Sequence, residues 1–204
     1  TADRAWIGVH ANALVDLFSV VQQDRTLTAL LASAPPVTTI DEHLEAVVTR
    51  LIARVEHASA PSFRSPGIGA ALARLHMSRH PLNEVPLVPA HTDPSPSNVL
   101  VASGRIYLVD WDGITLSDPM RDIGLLLWWC APPERWAALL ERFWLPDANS
   151  AASIDRIYWW SAVNSLRAAL WIDRHTSDEG AIASFLEDFR EAEARRPNPK
   201  RSAV

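Results

Sequence analysis

The sequence predicts a mainly α protein of α+β type, with helices set around one small β-hairpin. Three observations support this. Apolar residues recur at helical spacing over most of the chain, most clearly at Ile40, Leu44, Val47, Val48, Leu51, Ile52 and Val55. Two β-rich runs, residues 98–102 and 105–109, are joined by Ser103-Gly104, a hairpin signal. The polar residues of chemical interest lie on either side of that hairpin. At 204 residues and 48% apolar composition the chain is long enough to bury a sizeable core.

In chain order, helices are expected over residues 9–24 and 26–33, the second stopped by Pro35-Pro36. A third runs through the stripe above, with Thr39 as its cap and Asp41 and Glu42 in its first turn. A Pro/Ser loop follows, then a helix over 67–77. Leu87 and Val88 form a short extended run into His91. Residues 94–97, Pro-Ser-Pro-Ser, fit neither helix interior nor central strand. Beyond the hairpin, Asp118-Pro119 reads as the start of a helix reaching Trp129, ended by Pro132-Pro133. Helices over 134–144, 152–175 and 179–195 complete the chain, and residues 196–204 read as a disordered tail.

Composition bounds the function. A net charge of −5 gives no electrostatic case for nucleic acid. The lone cysteine, Cys130, excludes an internal disulfide framework and fits a reducing compartment. No apolar stretch is long enough for a membrane span, and no signal pattern opens the chain, so the expected location is the cytoplasm. Nine tryptophans are present, seven of them from Trp128 to Trp171, and lysine occurs only at Lys200.

The chemical residues form one ordered set. His91-Thr92-Asp93 is followed after four residues by Asn98, then by the hairpin, then by Asp110-Trp111-Asp112. Protein kinases place a His-x-Asp-x4-Asn loop and a metal-binding aspartate at this spacing across a hairpin. Phosphoryl transfer needs a carboxylate beside the acceptor hydroxyl and hard oxygen ligands for Mg²⁺, and a rigid hairpin can hold two such ligands together.

The run PAHTDPSPSNVLVASGRIYLVDWDG, residues 89–113, and SDPMRDIG, residues 117–124, resemble the aminoglycoside phosphotransferase family, which is related to choline kinases. ALARLH, residues 71–76, resembles the helix before its catalytic loop. The resemblance implies a protein-kinase-like C-terminal lobe over residues 1–195 and transfer of phosphoryl from ATP, with Mg²⁺, to a hydroxyl of a small molecule, with an aminoglycoside or other basic antibiotic as the natural guess. Asp93 would be the catalytic aspartate. Asn98 and Asp110 would ligate Mg²⁺, His91 would brace the loop, and Asp122 would pin it from the following helix. Asp118 is assigned to capping. Thr92 departs from the family's usual glycine, and Pro94 stands where leucine is common.

The family's glycine-rich loop and its lysine have no counterpart here, so the ATP-clamping N-terminal β-lobe is expected to be absent. Such a lobe would expose an apolar interface, open to a missing N-terminal lobe or to self-association. A non-catalytic small-molecule or partner-binding module is the alternative from another class. A metal-hydrolase cluster around His91, Asp93, Asp110 and Asp112 is a weaker one, for want of a second histidine at ligand spacing. His76 and His80 are expected at a helix end. Trp128, Trp129 and Trp160 are candidates for stacking on an acceptor ring, against a core role for each. Asp173, Asp178, Glu179, Glu187 and Asp188 read as a solvated face, or as carboxylates that a cationic acceptor would want.

Overall fold

A computed structural model describes residues 4–33, 39–78 and 85–200. Helices α1 (Arg4–Val9), α2 (Ala11–Gln22), α3 (Arg25–Ala32), α4 (Ile40–Glu56) and α5 (Pro66–Met77) lead to strand β1 (Val88–Ala90). The hairpin β2 (Val99–Ala102) and β3 (Arg105–Leu108) follows, then β4 (Thr115–Ser117). Helices α6 (Met120–Cys130), α7 (Trp136–Leu140), α8 (Ala151–His175) and α9 (Glu179–Glu193) close the chain.

The helix starts follow their capping chemistry. Thr39 and Glu42 form a full capping box at α4, with Glu42 N donating to Thr39 Oγ1 at 3.3 Å and Thr39 N to Glu42 Oε2 at 2.8 Å. Asp24, Ser150 and Asp178 cap α3, α8 and α9. The long helix α8 is the spine. It packs on α4, α6 and α9 and buries Ile157, Trp160, Val163 and Leu166. Gly124 of α6 lets that helix approach closely, since a Cβ there would stand 3.2 Å from Ile157 O.

Several expectations differ from the structure for local reasons. The helix expected over 9–24 is two helices broken at His10, and Val9 is 73% exposed. The first of them turns aside to dock on the end of α6, where a Cβ on Gly8 would meet Cys130 O at 2.7 Å and Arg135 donates to Gly8 O. The hairpin pairs Val99 with Leu108 and Ala102 with Arg105, but Asn98 belongs to the 3-10 turn before it. A second ribbon, β1 with β4, pairs Val88 with Ser117 and Ala90 with Thr115. Its partner strand of three residues is too short to give a periodic signal. The tail expectation differs too. Arg195 at φ 57° turns the chain back, Arg196 O accepts from Trp128 Nε1 at 3.1 Å, and Lys200 Nζ bonds Asp188 Oδ2 at 2.6 Å. Residues 196–200 therefore run along the body of the protein.

Asp118 does more than the capping expected of it. Its Oδ1 accepts from Met120 N at 2.9 Å, while Oδ2 accepts from Trp160 Nε1 at 2.8 Å and pairs with Arg156, all in the core. Breaking a buried pair strands the remaining charge. Asp118→Asn is expected to destabilise the fold by about 3 kcal/mol, read from the midpoint of urea unfolding; an unchanged midpoint would refute the ion pair's role.

His43 of α4 sits against Ser117 Oγ at 2.9 Å and near the ring of Trp160. Burial, helped by Arg121, Arg50 and Arg156, pushes its pKa down to about 4. The unfolded chain takes up this proton near the ordinary value of about 6.5. The native state then binds fewer protons than the unfolded one, so stability present above that value is lost as pH falls toward 4. Stability is expected to drop by about 2 kcal/mol from this group between pH 7 and pH 5. Chemical unfolding at the two pH values should show a smaller drop in His43→Gln.

Candidate active site

The loop after β1 is fixed from beneath by Asp122, in the first turn of α6. Its Oδ2 accepts from His91 N at 2.7 Å and its Oδ1 from Thr92 N at 2.9 Å. Burial pushes this carboxyl above its ordinary pKa, against the pull of Arg121 and the amide donors of His91 and Thr92. Thr92 has φ 73°, a left-handed conformation costly for a β-branched residue. The strain accounts physically for a glycine preference at this place. Here it is held by the Asp122 bond and by Thr92 Oγ1 donating to Gly113 O at 3.1 Å. Gly113 must itself lack a side chain, because a Cβ would stand 2.7 Å from Thr92 Oγ1. His91 is buried, donates Nε2–H to Val109 O at 2.8 Å and meets the Trp111 ring edge-on at 4.6 Å. The loop is thus tied to the segment that carries Asp110.

Asp93 is exposed at the loop's tip, followed by buried Pro94. Asn98 reaches back, its Nδ2 donating to Asp93 O at 2.9 Å and to Asp93 Oδ2 at 3.3 Å. Asn98 O accepts from Val109 N at 3.0 Å, which locks the turn to the hairpin. Asp110 is left-handed at φ 65° and ψ 62°, and its carboxylate makes no hydrogen bond among the described residues. Asp93, Asn98 and Asp110 line one cavity of about 650 Å³. The donor set fits Mg²⁺: the Asn98 amide nitrogen is engaged, leaving Oδ1, and the Asp110 carboxylate supplies hard oxygen to the same cavity wall. Among the described residues no group of three or more His, Cys, Asp or Glu is placed to hold a metal, which removes the support for a hydrolase cluster.

The opposite wall is one face of α8. Asn164, Arg167, Ala168, Trp171 and Ile172 follow at helical spacing, and all line the cavity. Trp129 of α6 and Phe185 of α9, ring centroids 5.6 Å apart, add an aromatic patch, and Arg54 enters from α4. Of the tryptophans expected at a pocket, Trp129 lines it. Trp128 and Trp160 do not. Both are fully buried, with Nε1 bonded to Arg196 O and to Asp118 Oδ2, because a deep indole needs a hydrogen-bond acceptor in the core. Trp171, 55% exposed, stands at the rim.

Sequence reasoning missed Arg54, Asn164 and Arg167. The available signal was a pair of polar residues one turn apart on the mostly apolar helix α8. The C-terminal carboxylates are used elsewhere. Asp173 accepts from Ser59 N and Ala60 N, Asp178 caps α9, Glu179 bonds Ser62, Asp188 pairs with Lys200, and Glu187 is exposed. His76 bonds Glu45 at 3.1 Å across α4 and α5 in place of a capping role, and His80 lies outside the described residues.

Asp122→Ala leaves the buried amides of His91 and Thr92 without an acceptor. The expected cost is about 3 kcal/mol. Amide exchange at His91 and Thr92 should quicken more than elsewhere in α6; uniform exchange across both would contradict the pinning role.

Residues 9–155 match the phosphotransferase enzyme family, APH. Among solved structures the fold is similar to choline kinase LicA from Streptococcus pneumoniae, at 14% identity and a TM-score of 0.68. The similarity covers 96% of this chain and 66% of that one, so the chain spans about two thirds of the kinase's length. At that identity the likeness concerns fold alone, and the fold shared is that of a kinase-like C-terminal lobe. No helix among the described residues is long and apolar enough to cross a membrane. With the match extending over most of its length, the chain belongs to the phosphotransferase enzyme family APH.

Proposed function

We propose that the protein transfers the terminal phosphoryl group of ATP to a hydroxyl of a small molecule, with Asp93 as the catalytic aspartate. The observation that carries this reading is the convergence of Asp93, Asn98 and Asp110 on one cavity, on a loop held by Asp122. Asp93 is exposed to the cavity, and its carboxylate is steadied by Asn98 Nδ2. In this reading Asp93 orients the acceptor hydroxyl and takes its proton as the new oxygen–phosphorus bond forms and the bond to ADP breaks. Mg²⁺, held by Asn98 and Asp110, would neutralise charge on the phosphates. The remaining contribution of the chain is positioning, through rigid support of the loop and an acceptor cavity walled by α6, α8 and α9. Residues 1–195 form the kinase-like lobe in this proposal, and a cytoplasmic setting is supported by the single cysteine.

An aminoglycoside or other basic antibiotic is the acceptor that the family resemblance suggests. Against it stands the cavity wall, which carries Arg54 and Arg167, while Asp173, Asp178, Glu179 and Asp188 serve structural bonds.

Calorimetric titration with Mg²⁺·ATP tests the metal assignment. Binding is expected to vanish in Asp110→Ala and to persist in Asp93→Asn. Turnover of the protein should fall by about 10²–10⁴-fold in Asp93→Asn. Retained turnover would remove Asp93 from the mechanism, and ATP binding indifferent to Asp110→Ala would remove the metal site.

A further inference from the structure

We propose that the acceptor carries an anionic group, a carboxylate or a phosphate ester, which Arg167 and Arg54 bind in the cavity beside Asp93. The inference rests on the phosphotransferase reading for the cavity's role as acceptor site.

Arg167 is half-buried on the cavity face of α8, yet it makes no hydrogen bond or ion pair among the described residues. A guanidinium taken partly out of water without a partner is costly, and burial lowers its pKa accordingly. Asp93 is the opposite charge it feels most, but the two form no ion pair. Arg54 lines the same cavity from α4, and Arg54 and Arg50 together repel the Arg167 charge. Two cations facing one cavity are stabilised when an anion enters between them.

A third donor stands with them. Asn164 lies one turn before Arg167 on α8 and lines the cavity, and its Nδ2 is buried without a hydrogen-bond partner. A buried amide N–H left unpaired is a cost that a ligand oxygen would remove. Among the described residues, the carboxylates in the cavity wall are Asp93 and Asp110, both assigned to the reaction. Trp129, Phe185 and Trp171 offer apolar faces to the rest of the molecule. The complement of this wall is an apolar or aromatic body bearing a hydroxyl at Asp93 and a negative group at Arg167. A polycation is the wrong partner, because it would meet arginines in place of carboxylates.

The test is calorimetric titration of the nucleotide-free protein in EDTA, with inorganic phosphate as the anion probe and kanamycin as the cationic one. Phosphate is expected to bind and kanamycin not to. Arg167→Gln should weaken phosphate binding by about tenfold. Arg54→Gln, an exposed substitution that leaves packing intact, should weaken it by a smaller factor. Absence of phosphate binding, indifference to both substitutions, or kanamycin binding overturns the proposal. So does phosphate binding that appears only when Mg²⁺ replaces EDTA, since the arginines would then be serving the donor's terminal phosphate. Nucleotide and metal are absent from the main titration, so its failure leaves the phosphotransferase reading standing, and that reading fails separately in the Mg²⁺·ATP experiment.

Discussion

The carboxylate of Asp122 is the joint on which the site depends. It lies in the first turn of α6, where the helix's own amide dipoles favour a negative charge. It spends both oxygens on backbone amides of the loop, at His91 and Thr92. One turn earlier Asp118 faces the other way, into Arg156 and Trp160 of α8. The start of α6 therefore joins two parts of the molecule through two buried carboxylates. Through Asp118 it is anchored to the helical core, and through Asp122 it sets the height of the loop. The candidate-site cavity lies between the partners so joined, with the loop on one side and α8 on the other.

This arrangement also explains how the protein sustains two left-handed residues so close together in space. Thr92 and Asp110 each sit in a conformation that an isolated chain would avoid. Neither stands alone. Thr92 is held at its nitrogen by Asp122 and at its hydroxyl by Gly113, and the strand before Asp110 is held by His91 through Val109. Strain of this kind persists where surrounding bonds over-determine the backbone. Its product is geometric: Asp93 and Asp110, which flank one hairpin in sequence, line one cavity, and the Asp110 carboxylate has no hydrogen-bond partner among the described residues.

Much of this was legible in the sequence because it depends on local chemistry. Thr39 and Glu42 announce α4, Ser103-Gly104 announces the hairpin, and Asp118-Pro119 announces α6, each through rules that act over a few residues. The order His91, Asp93, Asn98, Asp110, Asp122 was readable for the same reason, as a spacing. What was not readable depends on who meets whom. The ribbon of β1 and β4 joins residues 25 or more positions apart through three-residue strands. The turning aside of α1 is decided by a close approach of Gly8 to Cys130. The choice among tryptophans was equally tertiary. Trp128 and Trp129 are neighbours in sequence, yet about 100° apart on the helix, so one goes to the core and the other to the cavity.

The same geometry on α8 separates stability from recognition. One face of this helix carries Trp160, Val163 and Leu166 into the core, and Ser161 bonds Gly124 O to seat the helix on α6. The adjoining face carries Asn164, Arg167 and Trp171 to the cavity. A helix of 25 residues, packed along its length against three others, can change its cavity face without disturbing its core face. The loop that carries Asp93 has no such freedom, since its residues are bound to Asp122, Gly113 and Val109 at once. In the proposed reading, chemistry and selectivity thus reside on separate elements, one constrained by strain and buried hydrogen bonds, the other free to vary by side chain. The arginine at position 167 belongs to the second kind, and in the proposed reading its charge is what selects the acceptor.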